Sequence, residues 1–357
     1  MLLGWTPART ARHRMFLVLA ASTVAILGPL VPAQATVTDV PFGPSRPSSA
    51  AVLRTVPSVP SVPSVPSVPS FSATAQPALV VPPPILSVLE SWTGQSLLMR
   101  QTTGTAPAVS LAMPGTEDGQ ALRLNLPARP SSGPRQGVTV ASRFPSYRYG
   151  TYGSRMRSAD CSGQDRPGIV TGTFVYSMDH TDANRNGLAD NDEIDIEFLC
   201  AQPEVIWMSL WTDYDEARDL PRKISRAVNL RTGKVLTTCY STSWTGPCAA
   251  PLLGENTPAA VTAVPAFNSA TRFRSYTFDW QPNRVTFQTV DDLGRKIVLW
   301  DYRGPASRIP QKPATFMQNV WHTRNWDPLN GPAHNQPTTD TAAYLDSSVL
   351  PRVLIGK

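Results

Sequence analysis

From Glu193 to Phe198 acidic and apolar residues alternate without a break: Glu193, Asp195 and Glu197 against Ile194, Ile196 and Phe198. Successive side chains of a β-strand point to opposite faces, so one face of this stretch is wholly acidic and the other wholly apolar. The pattern demands a sheet that packs one side into a core. Three carboxyl groups along the other side repel one another and add nothing to folding. Such locally costly arrangements are expected at working sites.

Glu193 and Glu197 lie about 13 Å apart along extended backbone. Side chains leaning together on a sheet curved inward could close most of that gap. Retaining glycoside hydrolysis needs two carboxyl groups about 5–5.5 Å apart, one as nucleophile and one as acid/base, and a wider separation serves inversion. Residue spacing leaves both open. Proximity also gives the pair unlike protonation states, because like charges raise the pKa of whichever group ionises last. Asp195, between them, can hydrogen-bond and orient the nucleophile. The plainer reading of three alternating acids is a solvated face on an edge strand.

The rest of the chain supplies context. Arg9, Arg12 and Arg14 precede an apolar run from Met15 to Leu27, and Ala33-Gln34-Ala35 follows. This is the order of a secretory signal peptide cleaved after Ala35. The run is shorter than the roughly 20 apolar residues of a spanning helix, so no stable membrane insertion is expected. Losing those arginines takes the formal net charge from +6 to +3. A balance that small gives no case for a nucleic-acid partner. Residues 36–85 are rich in Pro, Ser, Val and Ala and include five Val-Pro-Ser triplets from Val56 to Ser70. Proline at every third position favours an extended polyproline spacer that cannot fold alone. An extracellular protein on a disordered stalk is the expectation.

From residue 86 to 357 the composition changes and turn signals recur. Alternating segments fall at 137–141, 169–176, 205–211, 223–230, 273–280, 284–290, 296–302, 315–322 and 342–353. No stretch sustains a helical period. Many short strands with Gly/Pro punctuation predict one all-β domain, a two-sheet jelly-roll sandwich of the concanavalin-like kind with a concave substrate cleft. Cys161, Cys200, Cys239 and Cys248 all lie in it. An even count in an exported chain implies two disulfides with three connectivities open. Cys239 and Cys248 flank Ser-Trp-Thr-Gly-Pro and could staple one loop, leaving Cys161 with Cys200. Their spacing matches no zinc site.

The strand 205–211 sets Trp207, Ser209 and Trp211 against Ile206, Met208 and Leu210. Aromatic faces suit sugars, whose C–H-rich sides are apolar, so Trp207 and Trp211 are candidate sugar platforms. With the parity reversed they would be ordinary core. Trp280 reads as core, and Trp244 and Trp326 as rim residues.

The run Glu193-Ile194-Asp195-Ile196-Glu197-Phe198-Leu199 resembles the signature of glycoside hydrolase family 16. It has the uninterrupted form of lichenases and of xyloglucan and fungal wall transglycosylases, without the extra bulge residue usual in laminarinases and agarases. Tyr149-Gly150-Thr151-Tyr152, Gly168 to Tyr176, Ser275 to Val290 and Ile309 to Trp321 resemble the family's other strands in turn. The resemblance implies Glu193 as nucleophile, Asp195 as its assistant and Glu197 as acid/base. It places Asn319, Trp321 and Tyr149 among sugar-contacting positions. The chain departs from the lichenase pattern at Gly153, where a glutamate is usual, at Ser209, where an asparagine is, and at Trp211, where a tyrosine is. These departures touch substrate choice more than the reaction.

Asp182-x-Asn184-x-Asn186-Gly187-x-x-Asp190-x-x-Glu193 also fits a twelve-residue calcium-loop pattern. A nucleophile locked to calcium could not attack a sugar, so Glu193 is assigned to catalysis. Asp182, Asn184, Asn186 and Asp190, with the Leu188 carbonyl, remain as ligands for a structural Ca2+, against the plainer reading of an Asn/Gly/Asp-rich hairpin loop. Catalysis itself requires no cofactor. The expectation is a secreted, monomeric, retaining endo-glycosidase acting on a β-linked polysaccharide, a β-glucan first. The alternatives are a transglycosylase of the same fold and a non-catalytic carbohydrate-binding module.

Overall fold

A computed structural model describes residues 87–351, apart from 94, 105–107, 129–136, 145–146, 179–180, 183–184, 186, 188–190, 216–219, 244–247, 250, 252 and 324–332. The chain divides into units 1–82 and 83–357, and the described residues all lie in the second. The expected signal peptide (1–35) and linker (36–85) fall outside them.

Strands β1 (Ser87–Glu90), β2 (Met99–Thr103), β3 (Val109–Ala112), β4 (Gln120–Leu126) and β5 (Val138–Ser142) open the domain. Then come β6 (Gly150–Arg157), β7 (Ile169–Met178), β8 (Asn191–Leu199), β9 (Val205–Asp215), β10 (Leu220–Asn229) and β11 (Lys234–Ser241). The last are β12 (Arg274–Gln281), β13 (Arg284–Val290), β14 (Lys296–Tyr302), β15 (Thr315–His322) and β16 (Thr341–Pro351). A single 3-10 turn, η1 (Ala306–Arg308), is the only helical element among the described residues, and no helix there is long and apolar enough to cross a membrane.

These strands form two antiparallel sheets. The first runs β14-β13-β12-β6-β16-β4-β3, with β1 also paired to β16; the second runs β11-β10-β9-β8-β7-β15-β5-β2. The all-β two-sheet sandwich expected from the alternation is the fold observed. All nine expected segments are strands, with ends shifted by no more than a few residues. β8 is the acidic alternation itself and β6 begins at the Tyr149–Tyr152 segment of the family resemblance, whereas β1, β2, β3, β4 and β11 belong to no expected segment. β1 and β11 bury no residue fully, so their sequences carry little apolar contrast. β4 alternates Leu122, Leu124 and Leu126 with Arg123 and Asn125, a legible signal that the set of expected strands omits.

Alternation makes the core. Along β12, Tyr276, Phe278 and Trp280 point inward and are fully buried, as are Phe198 on β8 and Phe316 on β15. Phe198 meets Tyr276 across the sheets with ring centroids 4.7 Å apart, and Tyr152 meets Phe316 at 5.9 Å. Burying each such ring stabilises the sandwich by about 2–3 kcal/mol. Trp280 is core as expected, and its Nε1 donates to the Pro310 carbonyl at 2.9 Å. A polar link crosses the same core: Gln318 of β15 donates through Nε2 to Ser154 Oγ and accepts from Ser348 Oγ at 2.9 Å, while Trp92 Nε1 donates to Ser348 Oγ at 3.2 Å. Buried polar groups are tolerated when paired in this way.

Both disulfides join the pairs that loop stapling suggested, Cys161–Cys200 and Cys239–Cys248, with Cα–Cα distances of 5.8 and 5.3 Å. The lichenase-like glutamate is missing at Gly153 for a backbone reason. A Cβ there would stand 2.2 Å from the Tyr276 carbonyl oxygen on the neighbouring strand, so no larger residue fits this packing.

Candidate active site

β8 is the fourth of eight strands in the second sheet, hydrogen-bonded to β7 on one side and β9 on the other. Neither pairing contains a register shift, so no bulge precedes Glu197. Ile194, Ile196 and Phe198 fill the core, which turns Glu193, Asp195 and Glu197 to the opposite face in a single file. Asp195 is 4% exposed, whereas Glu193 and Glu197 are half-buried.

Register sets what stands beside each carboxyl group, since directly opposed residues share a face. Glu193 lies between Trp211 and Tyr176, Asp195 between Ser209 and Phe174, and Glu197 between Trp207 and Gly172. Asn319 of β15 stands opposite Gly172, so it belongs to the row of Glu197 and Trp207. A Cβ on Gly172 would come within 2.8 Å of Asn319 Oδ1, so only glycine keeps this space open. Asn319 Oδ1 is buried without a hydrogen-bond partner, an acceptor facing that gap.

Both candidate tryptophans of β9 therefore lie on the carboxylate face, in unlike surroundings. Trp211 Nε1 donates to Asp195 Oδ2 at 2.9 Å, and its ring carries the Lys223 ammonium 4.5 Å from the centroid. That indole orients the acid file. Trp207 neighbours Glu197 across the strands. Trp321 shares the face, one step beyond Asn319, but packs with Val170, Leu199, Ala201 and Ala333 in a small apolar cluster that ends the acidic file. Tyr149 stands apart, just before β6 of the other sheet. Its hydroxyl donates to Gln311 Oε1 at 2.7 Å and its ring meets Trp280 edge-on at 5.4 Å. Gln311 and Lys312 in turn donate their backbone N–H groups to the Asp192 carboxylate, so Tyr149 braces the start of β8. Trp244 and Trp326 lie outside the described residues.

The electrostatics follow from crowding. Burial first, and then the negative charge of Glu197, raise the Glu193 carboxyl, while a hydrogen bond from Asp195 and the Lys223 charge oppose the rise. Asp195 is raised well above the usual range by burial, by the Glu193 charge and by its bond to Glu193. Trp211 and Lys223 pull it the other way. Glu197 is pushed up to about 8 by burial and by the Asp195 charge. All three carboxyls are raised together, and the hydrogen bond from Asp195 favours the ionised form of Glu193, a help that Glu197 lacks. Asp192 shows the contrast within one strand: burial raises it to about 6 even though two backbone amides favour its ionised form.

Lys223 is the residue that the sequence reading misses. It opens an expected strand, but only the pairing of β10 with β9, and a register irregularity between Arg222 and Lys223, bring it opposite Trp211. Of the expected calcium ligands, Asp182 accepts the Gly187 N–H through Oδ2 at 2.8 Å and so closes its own turn. Asn184, Asn186 and Asp190 lie outside the described residues. Among the described residues no group of three or more His, Cys, Asp or Glu is arranged to hold a metal ion.

Residues 108–245, which include the whole of β8, match the family model described as "Glycosyl hydrolases family 16". Solved structures similar to the chain include a β-1,3-1,4-glucanase (lichenase) derived from a mouse hindgut metagenome, at 19% identity over 75% of this chain and 99% of that one, TM-score 0.43. The Bacillus licheniformis β-glucanase is similar at 19% identity over 75% and 98%, TM-score 0.43. An apo Crh5 transglycosylase is similar at 15% identity over 75% and 84%, TM-score 0.42. No curated protein matches the chain. The family match thus covers β3 to β11 and the carboxylate file of β8, and over that region the chain is similar to glycosyl hydrolases family 16.

Proposed function

We propose that the protein is a secreted retaining endo-glycosidase that hydrolyses a β-linked polysaccharide, with a β-glucan as the first candidate. The observation that carries this reading is the unbroken register of β8, which holds Glu193, Asp195 and Glu197 in one file over a packed core. In the first step a Glu193 carboxylate oxygen attacks the anomeric carbon, and Glu197 gives its proton to the departing glycosidic oxygen. Asp195, hydrogen-bonded to Glu193 and held by Trp211, orients the attacking oxygen. Forming the glycosyl ester removes the Glu193 charge, which lowers the pKa of Glu197 and leaves it able to take a proton from water. That water then displaces Glu193 with retention. Asn319 and Trp207, in the row of Glu197, supply polar and apolar contacts to a sugar. Export is supported by the leader-like residues 1–35 and by two disulfides, which persist in oxidising compartments.

The test is a reducing-end assay on mixed-linkage glucan, laminarin, xyloglucan and agarose, with product sizing. Wild-type protein is expected to release new reducing ends from at least one of them. Glu193→Gln and Glu197→Gln are each expected to lose at least about 100-fold in kcat/KM with unchanged circular dichroism. Wild-type-like turnover in either variant overturns the assignment. Chain redistribution without new reducing ends replaces hydrolysis by transfer.

A further inference from the structure

We propose that Lys223 is a positioning residue for this chemistry: its ammonium, held over the Trp211 ring, balances the charge of the carboxylate file and so sets how far the file ionises. The proposal rests on the glycosidase reading for its consequence in turnover, but its electrostatic part stands without it.

The geometry comes first. Lys223 of β10 is opposite Trp211 of β9, and Trp211 is opposite Glu193 of β8, so the three form one row on the carboxylate face. The irregularity between Arg222 and Lys223 sets this row, because Arg222 pairs with Asp213 while Lys223 skips Thr212 to reach Trp211. Bulges of this kind re-aim side chains. Nζ lies 4.5 Å from the indole centroid, within range of a cation–π contact. The same indole donates to Asp195, so one ring links the cation to the middle of the file.

The charges nearby have other partners or roles. Glu193, Asp195 and Glu197 all act on Lys223, and Lys223 lowers each of them. Burial lowers the Lys223 pKa and the three carboxylates raise it. On β9, Asp213 stands opposite Arg222 and acts on Asp192. Lys312, beyond the start of β8, acts on Asp192 as well. On β11, Ser241 is opposite Lys223, and Tyr240 beside it lies under the Arg308 guanidinium of η1, which pairs with Glu255 at 2.7 Å. Among the described residues, Lys223 is the cation that acts on all three acids of the face. A cation this close favours ionisation of the whole file, acting most strongly on Glu197, then on Asp195 and Glu193, while the Asp195 hydrogen bond directs the gain to Glu193.

The experiment is a pH titration of carboxyl 13C shifts in protein labelled at Asp and Glu side chains, for wild type, Lys223→Met and Lys223→Arg. It reads protonation without turnover. Lys223→Met is expected to raise the file's midpoints by about one pH unit or more, and Lys223→Arg to leave them near wild type. In kcat/KM profiles the acidic limb moves up with the midpoints in Lys223→Met, an approximately tenfold loss below that limb, and Lys223→Arg restores it. Should Lys223→Met not fold, Lys223→Gln replaces it. Midpoints unchanged in a folded Met or Gln variant overturn the proposal. Wild-type protein without turnover, but with the expected midpoint shift, overturns the glycosidase reading and leaves the electrostatic role intact.

Discussion

The two sheets use carboxylates in opposite ways. On the first sheet Asp301 of β14 accepts from Arg284 Nε at 2.6 Å, Arg303 Nε at 2.8 Å and Thr286 Oγ1 at 2.9 Å. Burial pushes its carboxyl up, but these hydrogen bonds together outweigh burial and hold it below the usual range. Asp346 on β16 likewise takes Arg155 and the Glu117 amide. Among the described residues, the second sheet gives three carboxylates one lysine and one indole N–H, and all three are raised. Burial acts the same way in both places. The supply of donors per carboxylate makes the difference: a surplus yields a structural anchor, a deficit yields a proton store.

The largest effect that would break this contrast is expected at Trp211. Trp211→Phe keeps a ring under Lys223 but removes the donor to Asp195, and a bond to a carboxylate of that kind is worth about 1.5–3 kcal/mol. We expect kcat to fall by roughly 10–100-fold with KM nearly unchanged in steady-state kinetics. A rise in KM alone would instead make Trp211 a sugar platform. Next comes the pH dependence of stability. The folded pKa values of Glu193 and Glu197 lie above their ordinary value, so their contribution is fully present below the unfolded pKa and is lost as pH rises through the folded one, about 8 for each. Glu197→Gln, which cannot ionise, should therefore gain a few degrees in Tm over wild type as pH goes from 5 to 8.5. A flat difference across that range would remove the burial argument. The smallest effect is on the paired side. Asp301 is depressed, so its contribution is present above the unfolded pKa and is lost as pH falls through the folded one. Asp301→Asn is expected to cost about 1 kcal/mol at pH 7, discounted for the partly exposed arginines, and almost nothing near pH 2 by urea unfolding. Equal costs at both pH values would sink the ion-pair account.

The acid file was legible because a period-2 alternation of charge and apolarity over six residues has one physical solution. The strands of the second half were legible for the same reason. What the sequence left hidden depends on register. That Lys223 stands beside Trp211 follows from a local irregularity between Arg222 and Lys223, which no spacing along the chain encodes. That Trp321 packs with Leu199 and Ala333 while its neighbour on the same face, Asn319, meets the Glu197 row follows from which strand lies next to β7. Tyr149, two sheets' topology away from the file, acts on it through Gln311 and Asp192. Family likeness could name that tyrosine but not its connection.

The unbroken pairing of β8 on both edges has a consequence for how the domain comes apart. Amides of a strand embedded between two full partners open to solvent only when the whole sheet does, at the top of the range of local opening energies. Fraying belongs to outlying strands such as β11 and β2. The reactive carboxyl groups ride on a backbone that has no partly open form of its own, so the file is lost in the same cooperative event that unfolds the domain.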